Sequence, residues 1–357
     1  MRIGVLEWIC GGGLQTVPSE SIPHSLQREG KAMLHAVADG FRSAGHEVVL
    51  SIDARFFSQA ERREIAEHFS VFESSVIDKA ELRDGLPGTW WAIAESVDVV
   101  LVIAPEFSNI LQSAVQQLST ASRPLMNCTG EFLNASCDKW LTAECWRRAA
   151  VPHPATQLQS QVTAEWLDEH RLGSGKWIIK PRDGAGCEGI TVVDELELEK
   201  TLAAYRVKDS TDNYIIQPFH SGKSFSRSAI VDAVGGVHWL PLVTQELLIA
   251  ESIAYRGGAV QLETRVVGDL DRALHALGSG ALGWVGFDLV HCEVTGQWLV
   301  IEANPRLTTS FVGLSQSYGA GLAEQLLRAC TGGKVELAGN WRSLMFDSSG
   351  KELVRQV

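Results

Sequence analysis

Residues Gly283 to Thr309 read GWVGFDLVHCEVTGQWLVIEANPRLTT. Two β-rich runs, Val285 to Cys292 and Gln297 to Ala303, flank a Thr-Gly turn and predict a hairpin. Polar groups stand where such strands normally carry Val or Ile: Asp288 on the first, Glu302 and Asn304 at the end of the second. Residues two apart on a strand share a face, so Glu302 and Asn304 point together. Asp288 lies as far before Thr295 as Glu302 lies after it, so an odd-length loop centred on Thr295 sets the two acids opposite each other. Two carboxylates and an amide oxygen converging there repel unless a cation sits between them. Hard oxygen ligands that leave room for water and phosphate suit Mg²⁺. A surface hairpin with solvated acids is the plainer alternative, and the apolar neighbours Phe287, Leu289, Val300 and Ile301 speak against it.

Composition narrows the field. A chain of 357 residues, 45% hydrophobic and 21% charged, is an ordinary globular protein of two or three domains. Its 31 basic and 43 acidic residues give −12, and no Lys/Arg block is present, which argues against nucleic acid as a partner. No apolar run approaches ~20 residues, so no membrane span is expected. The start, MRIGVLEWIC, has one basic residue and is interrupted by Glu7, which predicts a first strand rather than a signal peptide. Seven cysteines, an odd number with no C-x-x-C pair, predict reduced thiols in a cytoplasm and no zinc.

Outward from the hairpin, the first ~120 residues alternate strand and helix. Arg2 to Leu6, Glu47 to Ile52 and Val97 to Ala104 read as strands, and Ser25 to Arg42, Ser58 to Phe69 and Asn109 to Leu118 as helices. Ligands to such a doubly wound sheet gather at the carboxyl ends of its strands, where Glu7 and Glu106 stand. Pro124 to Asn127 predicts a last strand, and Ser136 a cap for the helix carrying Asp138, Lys139 and Trp140. Further strands are expected at Trp177 to Lys180, Ile190 to Val193 and Tyr214 to Gln217. Ser224 to Val231 and His238 to Val243 read as a hairpin about Gly235-Gly236, and Val335 to Phe346 with Glu352 to Val354 as a small one.

Gly184-Ala185-Gly186-Cys187-Glu188-Gly189 matches G-x-G-x-x-G. A dinucleotide fingerprint requires a helix next, so that pyrophosphate meets its N-terminus. The next residues are Ile190-Thr191-Val192-Val193, a β-branched strand, so the NAD reading fails on context. Strand, glycine loop and strand instead describe a flexible flap whose N–H groups can fold over phosphates.

Asp288 followed by Glu302-x-Asn304-Pro305-Arg306 resembles the metal-binding end of the ATP-grasp superfamily. The resemblance implies an α/β fold of ATP-grasp architecture: an N-terminal doubly wound (Rossmann-like) lobe plus two α+β lobes enclosing ATP. The segments would be 1–123, 124–217, 218–330 and a tail, 331–357. It implies that Asp288, Glu302 and Asn304 hold Mg²⁺ or Mn²⁺ against the ATP phosphates and that Arg306 faces the transferred phosphoryl group. Lys180-Pro181 before the flap fits the same pattern. Lys180 would reach the α-phosphate, and Lys139 resembles the family's other phosphate-binding lysine, although read alone it is a solvated charge. Gly184, Gly186, Glu188 and Gly189 would then cover the nucleotide. Ile215 to Phe219 resembles the hinge at the adenine edge, contributed by Gln217, Pro218 and Phe219. Gln217 replaces the common acid there, and Ser224 stands where many relatives carry an acid near the ribose.

Four blocks resemble a narrower group, the ligases that join tyramine to glutamate in methanofuran-type cofactor synthesis. They are LEWICGGGL (Leu6 to Leu14), SLQREGKAML (Ser25 to Leu34), IAPE (Ile103 to Glu106) and EANPRLTTSFVGL (Glu302 to Leu314). The implied activity is ATP-dependent joining of a small-molecule carboxylate to an amine through an acyl phosphate. The assembly is open, a homodimer included. With nucleotide between the two later lobes, the amine must approach from the side that the first lobe covers. That places it against Glu7, Gly12, Gly13 and Arg28, unless Glu7 merely pairs with Arg28 or caps a turn. The rival readings are another ATP-grasp amino-acid ligase and a nucleotide-binding regulator that has lost catalysis.

Overall fold

The computed structural model describes residues 1–74, 82–121, 123–208, 212–262, 269–337, 339 and 341–353. Four short strands build the first sheet: β1 (Arg2–Glu7), β2 (Glu47–Asp53), β3 (Ser70–Ser74) and β4 (Val99–Ile103). They form one parallel sheet in the order β3-β2-β1-β4, with Ile3 opposite Val48 and Val99. Every residue of β4 is buried, as a parallel strand covered on both faces requires. Helix α1 (His24–Ser43) buries Met33, Leu34, Val37 and Phe41. Its Gly40 lets a C-terminal helix, Gly321–Cys330, pass so close that an added Cβ would lie 2.7 Å from that of Ala323.

Pro124 to Asn127 is not a full strand. Leu125 makes a single bridge to Val100, and the Asn127 side chain completes the edge by bonding both the N–H and the C=O of Val102. The cap expected at Ser136 is also corrected. Ser136 ends a helix, Gly130–Ser136, and Asp138 caps the next one, α2 (Lys139–Arg148), by accepting from Trp140 and Leu141 N–H.

The second sheet contains β5 (Gln157–Leu158), β6 (Lys176–Pro181), β7 (Thr191–Asp194) and β8 (Tyr214–Pro218), in the order β5-β8-β6-β7. Trp177, Ile179, Val193, Leu198, Leu202 and Ile216 give it a small core of its own. The first sheet shares one larger core with the third.

That third sheet has eight strands. Its centre is β9 (Gly222–Val231), paired along one edge with β10 (Val237–Trp239) and then β11 (Leu242–Ile249). The single strand expected from His238 to Val243 is therefore broken at Leu240-Pro241, where proline has no N–H for the ladder. β12 (Ile253–Gln261) follows β11, and β13 (Gly283–Cys292) and β14 (Trp298–Asn304) lie on the other side of β9. The tail adds β15 (Met345–Asp347) and β16 (Glu352–Leu353), a hairpin docked on β12. Gly257 permits this approach, since a Cβ there would lie 2.2 Å from the Phe346 carbonyl. Val335 to Leu337 and Trp341 to Leu344 are not strand, while residues 338 and 340 and Val354 lie outside the described residues.

Candidate active site

The hairpin of β13 and β14 brings Asp288 opposite Glu302, but not through a loop centred on Thr295. Next to the turn His291 faces Trp298, Val290 faces Leu299 and Leu289 faces Val300. That register would set Asp288 against Ile301 and turn Glu302 to the face of Phe287, in the core. A bulge at Ile301 adds one residue to β14, and beyond it Asp288 faces Glu302 and Gly286 faces Asn304. Ile301, Glu302 and Asn304 all line one cleft together with Asp288.

Asp288 is enclosed by amide donors. Gln245 Nε2 donates to Oδ1 at 2.8 Å and Asn304 Nδ2 to Oδ2 at 3.2 Å. Burial, then the charge of Glu302, pushes Asp288 up to about 6. Lys139, at the start of α2, places Nζ 3.0 Å from Glu302 and also donates to the Gly184 carbonyl. Lys180 ends β6 with 3% exposure, and burial, opposed by Glu302, pulls it down to about 8. Among the described residues no group of three His, Cys, Asp or Glu gathers as a metal site. The donor set here is two carboxylates plus the Asn304 amide oxygen. It fits a hard divalent cation whose remaining positions go to water and phosphate.

The cleft holds about 440 Å³ between the second and third sheets. Lys180, Gly186, Gln217, Pro218, Phe219, Ser224 and Arg306 line it with the acids. The flap is anchored rather than free at its start: Ser108 N–H donates to Asp183, and Lys139 N–H to the Arg182 carbonyl. Gly184, Glu188 and Gly189 do not line the cleft; Gly184 receives Lys139, Glu188 is exposed, and Gly189 (φ 72°) turns the chain beside Pro181. At the hinge the Gln217 amide donates to Thr156 and Phe219 N–H to Lys176, so those donors are already engaged. His220, next along the cleft, keeps a buried Nδ1 with no partner among the described residues.

At one end α1 closes the cleft with Glu29 and Met33. A smaller cavity of about 50 Å³ adjoins there, shares Glu29, Met33, Gly186 and Arg306, and is also lined by Glu7. Glu7 is 2% exposed and accepts Cys10 N–H; burial pushes it up to about 7. Gly30 allows this, since a Cβ would lie 2.8 Å from the Glu7 carboxylate. Arg28 is exposed and reaches neither cavity, and Gly12 and Gly13 pack on Ser74 and Trp8 instead of the cleft. Glu29, one residue on, is the acid that faces both cavities, and burial pushes it up to about 7. Its signal in the sequence is an acid three residues after Leu26 and four before Met33, on the apolar face of α1. Gln245 has no comparable signal.

Residues 136–310 match the ATP-grasp domain, and residues 46–131 the pre ATP-grasp 3 domain. The chain is 28% identical over 261 residues to tyramine–L-glutamate ligase of Methanocaldococcus fervens, covering 72% of each protein. The ligase of that name from Methanocaldococcus jannaschii is 25% identical over 240 residues, 66% of this chain and 63% of that protein. Among solved structures, an ATP-grasp superfamily protein from Archaeoglobus fulgidus superposes with a TM-score of 0.64 at 24% identity, covering 97% of this chain and 92% of that one. N5-carboxyaminoimidazole synthetase from Staphylococcus aureus, solved with ADP, gives 0.65 at 13% identity, over 96% and 81%. The chain belongs to the ATP-grasp superfamily and is an enzyme of its ligase class. No helix among the described residues is long and apolar enough to cross a membrane.

Proposed function

We propose that this chain is an ATP-dependent carboxylate–amine ligase joining glutamate to tyramine or a similar amine in methanofuran-type cofactor synthesis. One observation carries the reading: Asp288, Glu302 and Asn304 share the cleft face of a bulged hairpin, with Lys139, Lys180 and Arg306 around them. The two archaeal relatives support the choice of substrates. The four segments 1–123, 124–217, 218–330 and 331–357 are its working units. All seven cysteines are unpaired, which favours a reducing cytoplasm.

ATP enters as substrate, with its base toward Gln217 to Phe219, its ribose near Ser224 and its phosphates toward Lys180 and Lys139. Asp288, Glu302 and Asn304 would hold Mg²⁺ or Mn²⁺, which supplies charge neutralisation at the phosphates. The glutamate carboxylate attacks the γ-phosphorus, the bond to ADP breaks, and an acyl phosphate forms. Arg306 stabilises the charge on the phosphoryl oxygens. Once the ammonium has lost one proton to solvent, the amine attacks the acyl carbon, phosphate leaves, and the departing phosphate takes the second proton from the nitrogen as the amide forms. Glu7 and Glu29 supply carboxylates for the incoming ammonium in a partly dehydrated corner, where attraction is stronger than in water. ADP release measured over a panel of amines, with and without glutamate, tests the reading. Release that depends on neither reactant counts against it.

Glu7→Gln should raise the apparent Michaelis constant for tyramine about tenfold or more and leave that for ATP unchanged. Constants equal to the parent's would make Glu7 structural. The same change has a stability signature. Glu7 is raised from 4.5 to about 7, so the folded chain keeps a proton that the unfolded chain releases. That stability is present below pH 4.5 and lost as pH rises to about 7. Glu7→Gln should therefore raise Tm at pH 8 by a few degrees and leave it unaltered at pH 4.

The flap should gain order with nucleotide, since Gly184, Gly186 and Gly189 make it entropically costly to fix. Hydrogen exchange of residues 183–189 should slow on adding a non-hydrolysable ATP analogue; equal protection with and without it speaks against the role.

A further inference from the structure

Arg306 lies just past β14, and three of its five N–H donors are engaged by described residues. Nε donates to Glu106 Oε1 at 2.8 Å, Nη2 to Oε2 at 3.0 Å and Nη1 to the Leu307 carbonyl at 3.2 Å. The Glu106 and Arg306 side chains are only 3% and 12% exposed. This two-pronged fork sets the plane of the guanidinium as well as its place. It leaves one N–H on each Nη, and Arg306 lines both the cleft and the small cavity beside Glu29. Glu106 stands 200 residues earlier in the chain, three residues past β4 of the first sheet. The plane is therefore set only when the first sheet is packed against the hairpin sheet.

We propose that Glu106 is a positioning residue for phosphoryl transfer, holding the Arg306 guanidinium so that its two remaining N–H groups meet the transferring phosphoryl oxygens. The inference rests on the ligase reading and extends it, because it makes the first lobe part of the phosphoryl-transfer apparatus. A carboxylate that only filled space or joined two lobes would act on stability, not through Arg306.

Glu106→Gln keeps the size of the side chain but turns one acceptor into a donor, which breaks the fork. With ATP, Mg²⁺, glutamate and tyramine, kcat for ADP release should fall about 10²-fold, while the ATP Michaelis constant stays within about threefold. Glu106→Asp should recover part of the loss. On an Arg306→Ala background the same substitution should cost nothing further, as for two groups acting as one unit. Unchanged kcat in the single variant, or losses that multiply in the double one, would overturn the proposal. A second readout does not depend on the substrates. In arginine-¹⁵N protein, restricted rotation should give Arg306 separate Nη signals that merge in Glu106→Gln; signals as separate as the parent's would equally overturn it. No ADP release by the parent with any amine sinks the ligase reading alone, and the Arg306 signals still decide the role of Glu106.

Discussion

Glu302→Gln is expected to lower ADP release at least about 10³-fold at saturating Mg²⁺ while the chain stays folded. The carboxylate stands opposite Asp288 across the bulge, and its one salt-bridge partner among the described residues is Lys139. The amide keeps the shape and can still accept from Lys139, so the hairpin has no reason to rearrange. What it removes is half the negative charge that makes this corner attractive to a divalent cation. It also removes a repulsion, since Glu302 helps push Asp288 up to about 6. The nucleotide-free protein should keep the parent's circular dichroism spectrum, the relieved repulsion on Asp288 being set against the attraction lost by Lys139 and Lys180. Glu302→Asp, with its charge retained but withdrawn, should fall between. ADP production equal to the parent's over a full Mg²⁺ titration would refute the cation assignment.

The same pair shows what sequence can and cannot deliver. Alternation and turn residues predict the hairpin, and counting from Thr295 matches Asp288 with Glu302, but for the wrong reason. The loop is even in length, and the bulge at Ile301 restores the pairing. No residue type marks a bulge there; it follows from burying Val300 and Ala303 while leaving both acids in the cleft. The parallel sheet is legible because β4 is a continuous apolar run. β12 is not, because Gly257 and Gly258 interrupt its pattern; the first is set by the tail strand that passes against it and the second by the Thr244 carbonyl of β11. Glu7 and Glu106 are visible as acids at strand ends. The partner of Glu106 stands 200 residues away, a distance no local pattern spans. Arg28 draws the eye because an arginine suggests a partner for Glu7, whereas the helical face points to Glu29.

Lys180→Met should act in opposite directions on activity and stability. Lys180 closes β6 against the acids of the hairpin, and burial pulls its pKa from 10.5 to about 8. At neutral pH it is therefore still charged, held in a site that disfavours the charge and waiting for phosphate. Removing it deletes one fixed cation from the nucleotide's phosphate path, so kcat/KM for ATP should fall about 10²- to 10³-fold. The empty protein should gain. The unfolded chain carries this proton up to pH 10.5, the folded chain only to about 8, so the cost is full below pH 8 and vanishes above 10.5. A shift of this size corresponds to about 3 kcal/mol, part of which methionine recovers by filling the same volume without a charge. Tm of the nucleotide-free variant should thus exceed the parent's at pH 7, and the two curves should converge as pH approaches 10.5. ATP should invert the order, stabilising the parent and leaving the variant where it was. A variant that is less stable without nucleotide at pH 7, or one that ATP still stabilises as it does the parent, would show that Lys180 belongs to the structure and not to the phosphate site.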